Sequence, residues 1–251
     1  MGNGFIRFRD VSFAIEGRTL LEKLNVSLEQ GLIYALIGPN GGGKSVFMKL
    51  LGGIFEPTSG ALEVTIDGKT YQVDDAIKRH ILRSGFVFEH GGLMNNMSVF
   101  DNIALPLRYY RTMSEKDIDL GVRRILGLLE MESHGDSRPS QLSHGNRRLV
   151  NIAMALANNP QLILYDSPTL GLDPGAARAI KTLIRRFHKQ YNVTSMIATN
   201  DIDLAADIAD RLVFIDKSTV LMIDTPAAVM RSDDPGIKDY LKSYTLSSSQ
   251  E

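Results

Sequence analysis

One glycine-rich segment constrains the fold of this chain more than any other feature. Residues 38–45 read Gly-Pro-Asn-Gly-Gly-Gly-Lys-Ser and match the pattern G-x-x-x-x-G-K-[S/T]. The apolar run 32–37 before the segment predicts a buried parallel strand, and the run 45–51 after it predicts a helix. In such a unit the loop amides and the helix N-terminus point toward a bound anion. The sequence therefore predicts a phosphate-binding loop.

The loop predicts a specific ligand, a nucleoside triphosphate with Mg²⁺. Its glycines let backbone N–H groups approach the β-phosphate, Lys44 reaches the β and γ oxygens, and the Ser45 hydroxyl binds the metal. A glycine-rich turn with a chance lysine is the alternative, and the flanking strand and helix disfavour it. The residues predicted to bind ATP here are Gly38, Asn40, Gly41, Gly42, Gly43, Lys44, Ser45 and Val46.

Composition removes several classes of function. A formal net charge of -1 gives no general attraction to nucleic acid, so no nucleic-acid partner is expected. The basic pairs Arg147-Arg148 and Arg185-Arg186 are interpreted as solvated helix faces. The absence of cysteine excludes disulfides and thiolate metal sites. No apolar run approaches the roughly 18 residues of a membrane-spanning helix, so a water-soluble chain is expected.

The pattern along the chain predicts an α/β fold. Alternation over 5–15 and 19–28 predicts antiparallel strands, and 60–72 predicts a hairpin that turns at Asp67-Gly68. Short apolar strands then recur with helices between them, which predicts a mainly parallel sheet beside this antiparallel flank. These later strands are predicted at 85–88, 162–165, 194–198 and 211–215, with a helix at 176–190.

A helical segment interrupts this succession between Glu89 and Leu162. Ser114 is the predicted N-cap of a helix that runs toward Leu129. We interpret the segment as a helical subdomain inserted into the core. The predicted divisions are a nucleotide-binding core at 1–90 and 159–244, a helical subdomain at 91–158 and a tail at 245–251.

Two further motifs follow the loop in a fixed order. Leu142-Ser-His-Gly-Asn146 precedes a helix predicted at 147–157, and the strand 162–166 ends in Asp166, with Gly171-Leu-Asp-Pro174 soon after. With the phosphate loop, these motifs resemble those of the nucleotide-binding subunits of ABC transporters, over about residues 5–244. The resemblance implies a P-loop ABC-type ATPase core with an inserted helical subdomain.

The resemblance also implies a shared site. ATP would lie between the loop of one subunit and the signature residues Ser143 and Gly145 of another, in a homodimer or a heterodimer. Mg²⁺ would be held by Ser45, by Asp166 through water, and by Glu89. Transmembrane permease subunits would dock on the segment after Glu89. The chain would then be cytoplasmic and peripheral on the inner face of the cell membrane.

Several positions depart from the family pattern. Ser167 replaces the glutamate that acts as general base, Asn200 replaces the switch histidine, and Glu89 replaces a glutamine. His144 replaces the first glycine of the signature, and Ile15 lies near the usual adenine-stacking aromatic residue. A general base contributes roughly 10² to 10⁴ in rate, so hydrolysis is predicted to be slow or absent. Tolerated drift in a working ATPase is one alternative; Glu89 as a displaced base is another, which its negative charge beside the γ-phosphate disfavours.

The residues from Phe88 to Leu107 resemble the corresponding stretch of the Mla/Mce-type ATPases, which drive phospholipid transport. The chain is therefore predicted to be the ATP-binding subunit of a lipid transporter. The apolar residues at 93–100 either form the docking groove or belong to the core, and the sequence does not choose between them.

Two other functions remain open on the sequence. A non-enzymatic subunit that senses ATP and regulates a partner fits the same retained and replaced residues. A soluble ABC protein that works on ribosomes or DNA fits less well, because this chain has one nucleotide domain and no basic surface signal.

Overall fold

Two β-sheets and nine α-helices form the part of the chain that the computed structural model describes, residues 4–110 and 113–248. In chain order the strands are β1 (Ile6–Ile15), β2 (Arg18–Leu28), β3 (Ile33–Ile37), β4 (Ser59–Ile66), β5 (Lys69–Gln72), β6 (Ser84–Val87), β7 (Leu162–Asp166), β8 (Thr194–Ala198), β9 (Arg211–Asp216) and β10 (Thr219–Asp224). The helices are α1 (Lys44–Leu51), α2 (Val73–Lys78), α3 (Val99–Tyr110), α4 (Glu115–Leu128), α5 (His144–Ala157), α6 (Pro174–Tyr191), α7 (Ile202–Ile208), α8 (Pro226–Met230) and α9 (Pro235–Ser248). Short 3-10 turns cover Glu132–His134 and Pro139–Gln141.

The first sheet is the antiparallel flank that the alternating residues predict. Its spatial order is β2-β1-β4-β5, with Ile6 opposite Leu28 in β2 and opposite Val64 in β4. The inward face packs on α1, where the Phe8 ring stacks on Phe47 with centroids 4.7 Å apart. This contact fixes the antiparallel sheet against the helix that follows the phosphate loop.

The second sheet holds the predicted parallel core. Its order is β10-β9-β3-β8-β7-β6, in which β10 is antiparallel to β9 and the other pairs are parallel. Strand β3 lies in the interior and all five of its residues are buried, as expected for a parallel strand covered on both faces. The residues of β7 alternate between two cores, with Leu164 facing α1 and Ile163 facing the helices α3 to α6.

The helices α3, α4 and α5 lie within the segment 91–158, where the helical subdomain is predicted. Ser114 caps α4 as predicted, because its hydroxyl accepts a hydrogen bond from the Asp117 amide at 3.2 Å. Helix α5 begins at His144, three residues before the predicted start, because Ser143 caps it and accepts from the Asn146 amide at 3.1 Å.

Apolar residues of the segment 93–100 divide between the two predicted roles. Val99 is fully buried, and Leu93 and Phe100 pack against the core beside α5. Met94 is 49% exposed. Asn102 is fully buried and holds the loop before α3, accepting from the Met94 amide at 2.7 Å.

Some elements are absent from the sequence-based prediction. Strand β10, α2 and α8 have only five or six residues each, too few to show a clear apolar period, and they are held by their neighbours in the fold. Helix α9 continues to Ser248, across the predicted boundary of a tail at residue 245, and residues 249–251 lie outside the described part. In the described ranges, no helix is both long and apolar enough to cross a membrane.

Candidate functional site: a nucleotide-binding loop

The phosphate loop joins β3 to α1 at the carboxyl edge of the second sheet. Gly38 and Gly43 have φ angles of 145° and 106°, which side chains rarely adopt. A Cβ on Gly38 would lie 1.9 Å from the Ile215 carbonyl oxygen, and a Cβ on Gly43 would lie 2.6 Å from Leu21 Cδ2. Both glycines are therefore required by the close approach of neighbouring strands as well as by the turn.

Lys44 lies over this loop. Its ammonium donates hydrogen bonds to the Gly38 and Pro39 carbonyl oxygens at 2.6 and 3.0 Å. Burial lowers the pKa of Lys44, and the nearby Asp166 carboxylate opposes that shift. The lysine is thus held at the loop in a partly desolvated setting, where a phosphate oxygen would be a strong partner.

The other predicted loop residues are accessible to a ligand in different degrees. Asn40, Gly41 and Ser45 are exposed, and Val46 is half-buried against the core between the two sheets. Gly42 is buried beneath the loop, where its amide donates to the Pro39 carbonyl oxygen at 3.1 Å.

Asp166 stands at the end of β7, level with the end of β3. The register pairs Asp166 with Ala198 of β8, and Ala198 with Leu36 of β3. Burial raises the pKa of Asp166, and the Glu89 carboxylate adds to the rise, while Lys49, Lys44 and Arg148 oppose it. The parallel register therefore brings this carboxylate to the phosphate loop.

Ser167 and Asn200 follow β7 and β8 at the same edge. The Ser167 amide donates to the Ala198 carbonyl oxygen at 2.8 Å, and its φ angle is 47°. The side-chain Nδ2 of Asn200 donates a hydrogen bond to Asn40 Oδ1 at 2.9 Å, which links the predicted switch position directly to the loop. The structure thus brings both replaced positions beside the predicted phosphate site.

Arg148 corrects one sequence-based interpretation. The pair Arg147-Arg148 is not a solvated face, because Arg148 is 8% exposed and donates to the Phe88 carbonyl oxygen at 2.7 Å. Burial lowers its pKa, and Glu89 and Asp166 oppose the shift. The α5 periodicity contained this signal, since Arg148 shares a helix face with the buried apolar residues Ile152 and Ala155, four and seven positions later.

Glu89 follows β6 and its side chain is 32% exposed. One of its oxygens lies 3.2 Å from His90 Nδ1. The Glu89 carboxylate acts on the pKa of both Asp166 and Arg148, and its side chain lines one cavity with Arg148.

The signature residues belong to a different surface of the same chain. Ser143, His144 and Gly145 line a cavity of about 280 Å³ together with Asp173 and Ala176. Gly145 faces Ala176, since an added Cβ would be in ordinary van der Waals contact with Ala176 Cβ at 3.4 Å. The Ser143 hydroxyl already caps α5, so its oxygen stands at a helix N-terminus, a favourable place for an anion.

Mg²⁺ fits the donors that the structure brings together. Asp166 and Glu89 supply carboxylate oxygens and Ser45 an exposed hydroxyl, and Mg²⁺ prefers oxygen ligands, often with phosphate and water completing the set. Across the described ranges, no group of three or more His, Asp or Glu side chains is arranged to hold a metal alone. These donors suit a metal shared with a bound phosphate.

Two tyrosines of α9 also reach the site, and sequence reasoning missed them. Tyr240 forms a hydrogen bond with the backbone of Gly38, and burial raises the pKa of its hydroxyl. The Tyr240 ring packs edge-on against Phe214, with ring centroids 5.3 Å apart. The Tyr244 hydroxyl lies 3.4 Å from Asp201, next to Asn200. Little in the local sequence of α9 signals this contact, because it depends on how the helix packs across β9.

Ile15, near the predicted position of the base, is 44% exposed at the end of β1. A branched aliphatic side chain offers an apolar surface to an adenine ring without aromatic stacking.

A protein-family model described as "ABC transporter" matches residues 21–170. The sulfate/thiosulfate import ATP-binding protein CysA of Pectobacterium atrosepticum is 33% identical over 227 residues, or 89% of this chain and 67% of that protein. The protein of the same name from Bradyrhizobium diazoefficiens is 34% identical over 215 residues, or 84% of this chain and 61% of that protein. The chain thus spans about two thirds of the length of these relatives.

Solved structures share the fold. The ATP-binding cassette MJ0796, in a dimeric post-hydrolysis state bound to ADP and Pi, has a TM-score of 0.76 and 28% identity, and the match covers 88% of this chain and 98% of that one. cbiO1 from Clostridium perfringens, part of the ABC transporter complex cbiONQ, has a TM-score of 0.80 and 26% identity over 91% of each chain. The fold is therefore the α/β fold of ABC cassettes, as predicted. By its sequence and its fold, this chain belongs to the ABC transporter family and carries that family's ATP-binding domain.

Proposed function

We propose that this chain is the ATP-binding subunit of a membrane transporter, that it holds Mg-ATP, and that its own hydrolysis is slow. One observation carries the proposal. Lys44 and Asp166 lie at one edge of the parallel sheet, and at the same edge a serine, Ser167, follows Asp166 where the family resemblance implies a glutamate base.

Nucleotide binding rests on groups that the fold positions before any ligand arrives. The amides of the loop and of the N-terminus of α1 would donate hydrogen bonds to the phosphate oxygens. Lys44 would exchange its carbonyl partners at Gly38 and Pro39 for phosphate oxygens. Mg²⁺ would neutralise phosphate charge at the oxygens of Ser45, Asp166 and Glu89. None of these groups is altered by the replacements at 167 and 200.

Hydrolysis lacks its two nearest side chains. A serine hydroxyl does not accept a proton at neutral pH, so Ser167 cannot activate the attacking water. Asn200 can donate a hydrogen bond toward the γ-phosphate from its place beside Asn40, but it carries no positive charge. We therefore expect a dimer of this chain to stay closed on bound ATP for a long time before the ATP is cleaved.

A dimer is part of this proposal. The cavity with Ser143 and Gly145 would face the γ-phosphate held by a second subunit, with His144 beside it. A homodimer of this chain would have two slow sites. A heterodimer with a complete ATPase would have one working site, formed from the partner's base and this chain's signature.

Closure of that dimer would act on transmembrane permease subunits. The segment after Glu89 offers them exposed apolar side chains, since Met94 is 49% exposed and the preceding Phe88 is 38% exposed. The core at 1–90 and 159–244 and the subdomain at 91–158 would move relative to each other as ATP binds. Attachment to such subunits would place the chain on the inner face of the membrane.

For the cargo, we propose a lipid, on the similarity of residues 88–107 to the Mla/Mce-type ATPases. A second candidate is an inorganic oxyanion, because the relatives reported above are named for sulfate and thiosulfate import. Purification of the chain with its native membrane partners would separate the two candidates. Stimulation of turnover by phospholipid vesicles would support the first, and stimulation by sulfate with a binding protein would support the second.

The regulatory alternative makes a different prediction. An ATP sensor without transport function would bind ATP and change its affinity for a soluble partner, and it would not co-purify with permease subunits. Affinity purification from detergent-solubilised membranes, with and without ATP, tests the proposal against this alternative. Recovery of no membrane subunit under either condition would contradict the transporter assignment.

A further inference from the structure

Arg148 is the one charged side chain among the buried polar residues of the described part of the chain. It lies in the interior of α5, surrounded by apolar positions, and its guanidinium donates to the Phe88 carbonyl oxygen at 2.7 Å. A buried cation is costly unless a specific partner compensates it. The single carbonyl contact leaves the positive charge itself to be balanced by other groups.

Two carboxylates supply that balance. Glu89 and Asp166 are the acidic groups whose charges favour the ionised Arg148, and they also repel each other at the nucleotide site. Arg148 thus lies within electrostatic reach of both. The same cavity wall brings Glu89, Arg147 and Arg148 together, so the pair is bordered by a small open space of about 210 Å³.

Other cations near the site are less suited to this role. His90 contacts Glu89 but its side chain is 86% exposed, so water screens the pair. Lys44 is held by the loop carbonyls, and Lys49 packs over the Phe55 ring at 5.2 Å. Arg148 is fixed by burial and by its carbonyl contact, so its charge remains in place whether or not nucleotide is bound.

We propose that Arg148 is a positioning residue whose buried guanidinium offsets the Glu89 carboxylate and holds the backbone at Phe88, so that a polyphosphate can bind beside two acidic side chains. Without this cation, the carboxylates of Glu89 and Asp166 would add their negative charge to that of the phosphates, with Mg²⁺ and Lys44 left to offset all of it. The loss should be larger for ATP than for ADP, because ATP carries the additional negative charge of the γ-phosphate. The inference rests on the proposed nucleotide site and assigns a new residue to it.

A double-mutant cycle tests the proposal. The proteins are wild type, Arg148→Gln, Glu89→Gln and the double variant, with Arg148→Lys to keep the charge and Arg147→Gln as the matched loss of charge at the next residue. Equilibrium binding of ATP and of ADP is measured with Mg²⁺ for each, and unfolding midpoints are measured without nucleotide.

We expect Arg148→Gln to weaken ATP binding about 10-fold or more and ADP binding only about threefold. The double variant should bind ATP within about threefold of Glu89→Gln, because the unpaired charge is gone. Arg148→Lys should retain most of the affinity, and Arg147→Gln should change it less than about twofold. The unfolding midpoint should fall in Arg148→Gln and recover in the double variant.

An equal loss of affinity for Arg148→Gln in the wild-type and Glu89→Gln backgrounds would overturn the proposal and leave a purely structural role. Failure of both Arg148→Gln and the double variant to fold would also overturn the proposal and leave Arg148 a purely structural role. A wild-type chain that binds no ATP would instead contradict the proposed function, and the unfolding midpoints would still decide whether Arg148 and Glu89 are coupled.

Discussion

The phosphate loop after β3 and the segments after β7 and β8 meet at one edge of the same sheet, but they differ in what the sequence keeps. The loop retains its glycines, Lys44 and Ser45, and the packing of Gly38 against β9 requires glycine there. Ser167 and Asn200 follow the neighbouring strands, and the family resemblance implies a glutamate and a histidine at these two positions.

On the proposed function, this difference separates the groups that bind ATP from the groups that hydrolyse it. Binding uses backbone amides and a lysine that the loop geometry fixes, so a change at a tightly packed loop position such as Gly38 disturbs the structure itself. Hydrolysis depends on single side chains at strand ends, and a change there leaves the strand pairing intact because Ser167 still donates its amide to Ala198. A chain can therefore lose catalysis while keeping its fold and its ligand.

Restoring the family's catalytic side chains at positions 167 and 200 should produce the largest effect. We expect the double variant Ser167→Glu with Asn200→His to raise Mg-ATP turnover by roughly 10² or more, since a positioned general base is restored. The affinity for ATP should stay within about threefold, because the loop is unchanged. Steady-state phosphate release measures the turnover, and nucleotide titration measures the affinity for ATP. Unchanged turnover would show that the sequence differences at 167 and 200 are not what limits hydrolysis.

Damage to the loop should act on binding. We expect Lys44→Ala to weaken ATP binding about 100-fold, because a charge-assisted contact to phosphate is lost. Lys69→Ala, an exposed lysine at the start of β5, is the matched control and should bind normally. Isothermal titration of both proteins gives the comparison. Similar affinities for the two variants would contradict the assignment of the phosphate site to this loop.

Two glycines of the loop should respond differently to alanine. Gly38→Ala would place a Cβ 1.9 Å from the Ile215 oxygen, and we expect a loss of about 3 kcal/mol in unfolding free energy. Gly41 has open space around it and a φ of 78°, so Gly41→Ala should cost only about 1 kcal/mol. Urea unfolding of the pair measures the difference. Equal losses would mean that contact with β9 does not hold the loop.

The smallest effect concerns Asp166 and pH. Burial and the Glu89 carboxylate raise the pKa of Asp166 in the folded chain, so the fold favours the protonated side chain. The resulting stabilisation is fully present below the unfolded-state pKa and is lost as pH rises through the folded-state pKa. Without nucleotide, Asp166→Asn should therefore stabilise the chain at pH 7 by less than about 1 kcal/mol, and the gain should vanish near pH 4. Thermal unfolding at the two pH values tests this; destabilisation at pH 7 would contradict it.

Much of the fold follows from the sequence because its signals are local. Alternation predicts β1 and β2, continuous apolar runs predict the parallel strands, and Ser114 marks the start of α4. The same rules fail at β10 and α2, which have six residues each and are too short to show a clear period. The start of α5 was placed too late because His144 and Gly145 are poor helix formers that a Ser143 cap overrides.

Sequence motifs predict most residues of the site, and the packing of the fold adds residues that belong to no motif. Gly38 to Ser45, Asp166, Ser167 and Asn200 come together because parallel strands end at the same edge. Arg148 and Tyr240 carry no motif, and the burial of the arginine contradicts the usual preference of that residue type. The pairing of Ser143 and Gly145 with a second subunit stays a prediction, because it concerns a surface shared between chains.

The central claim is that this chain holds ATP and splits it slowly, and one experiment addresses it directly. The purified wild-type chain and Lys44→Ala are each mixed with Mg-ATP, and bound nucleotide and released phosphate are followed in the same samples. The account predicts tight binding and negligible phosphate release by wild type, with the binding lost in Lys44→Ala. Brisk release by wild type that depends on Lys44 would contradict the account and make Glu89 the suspected base.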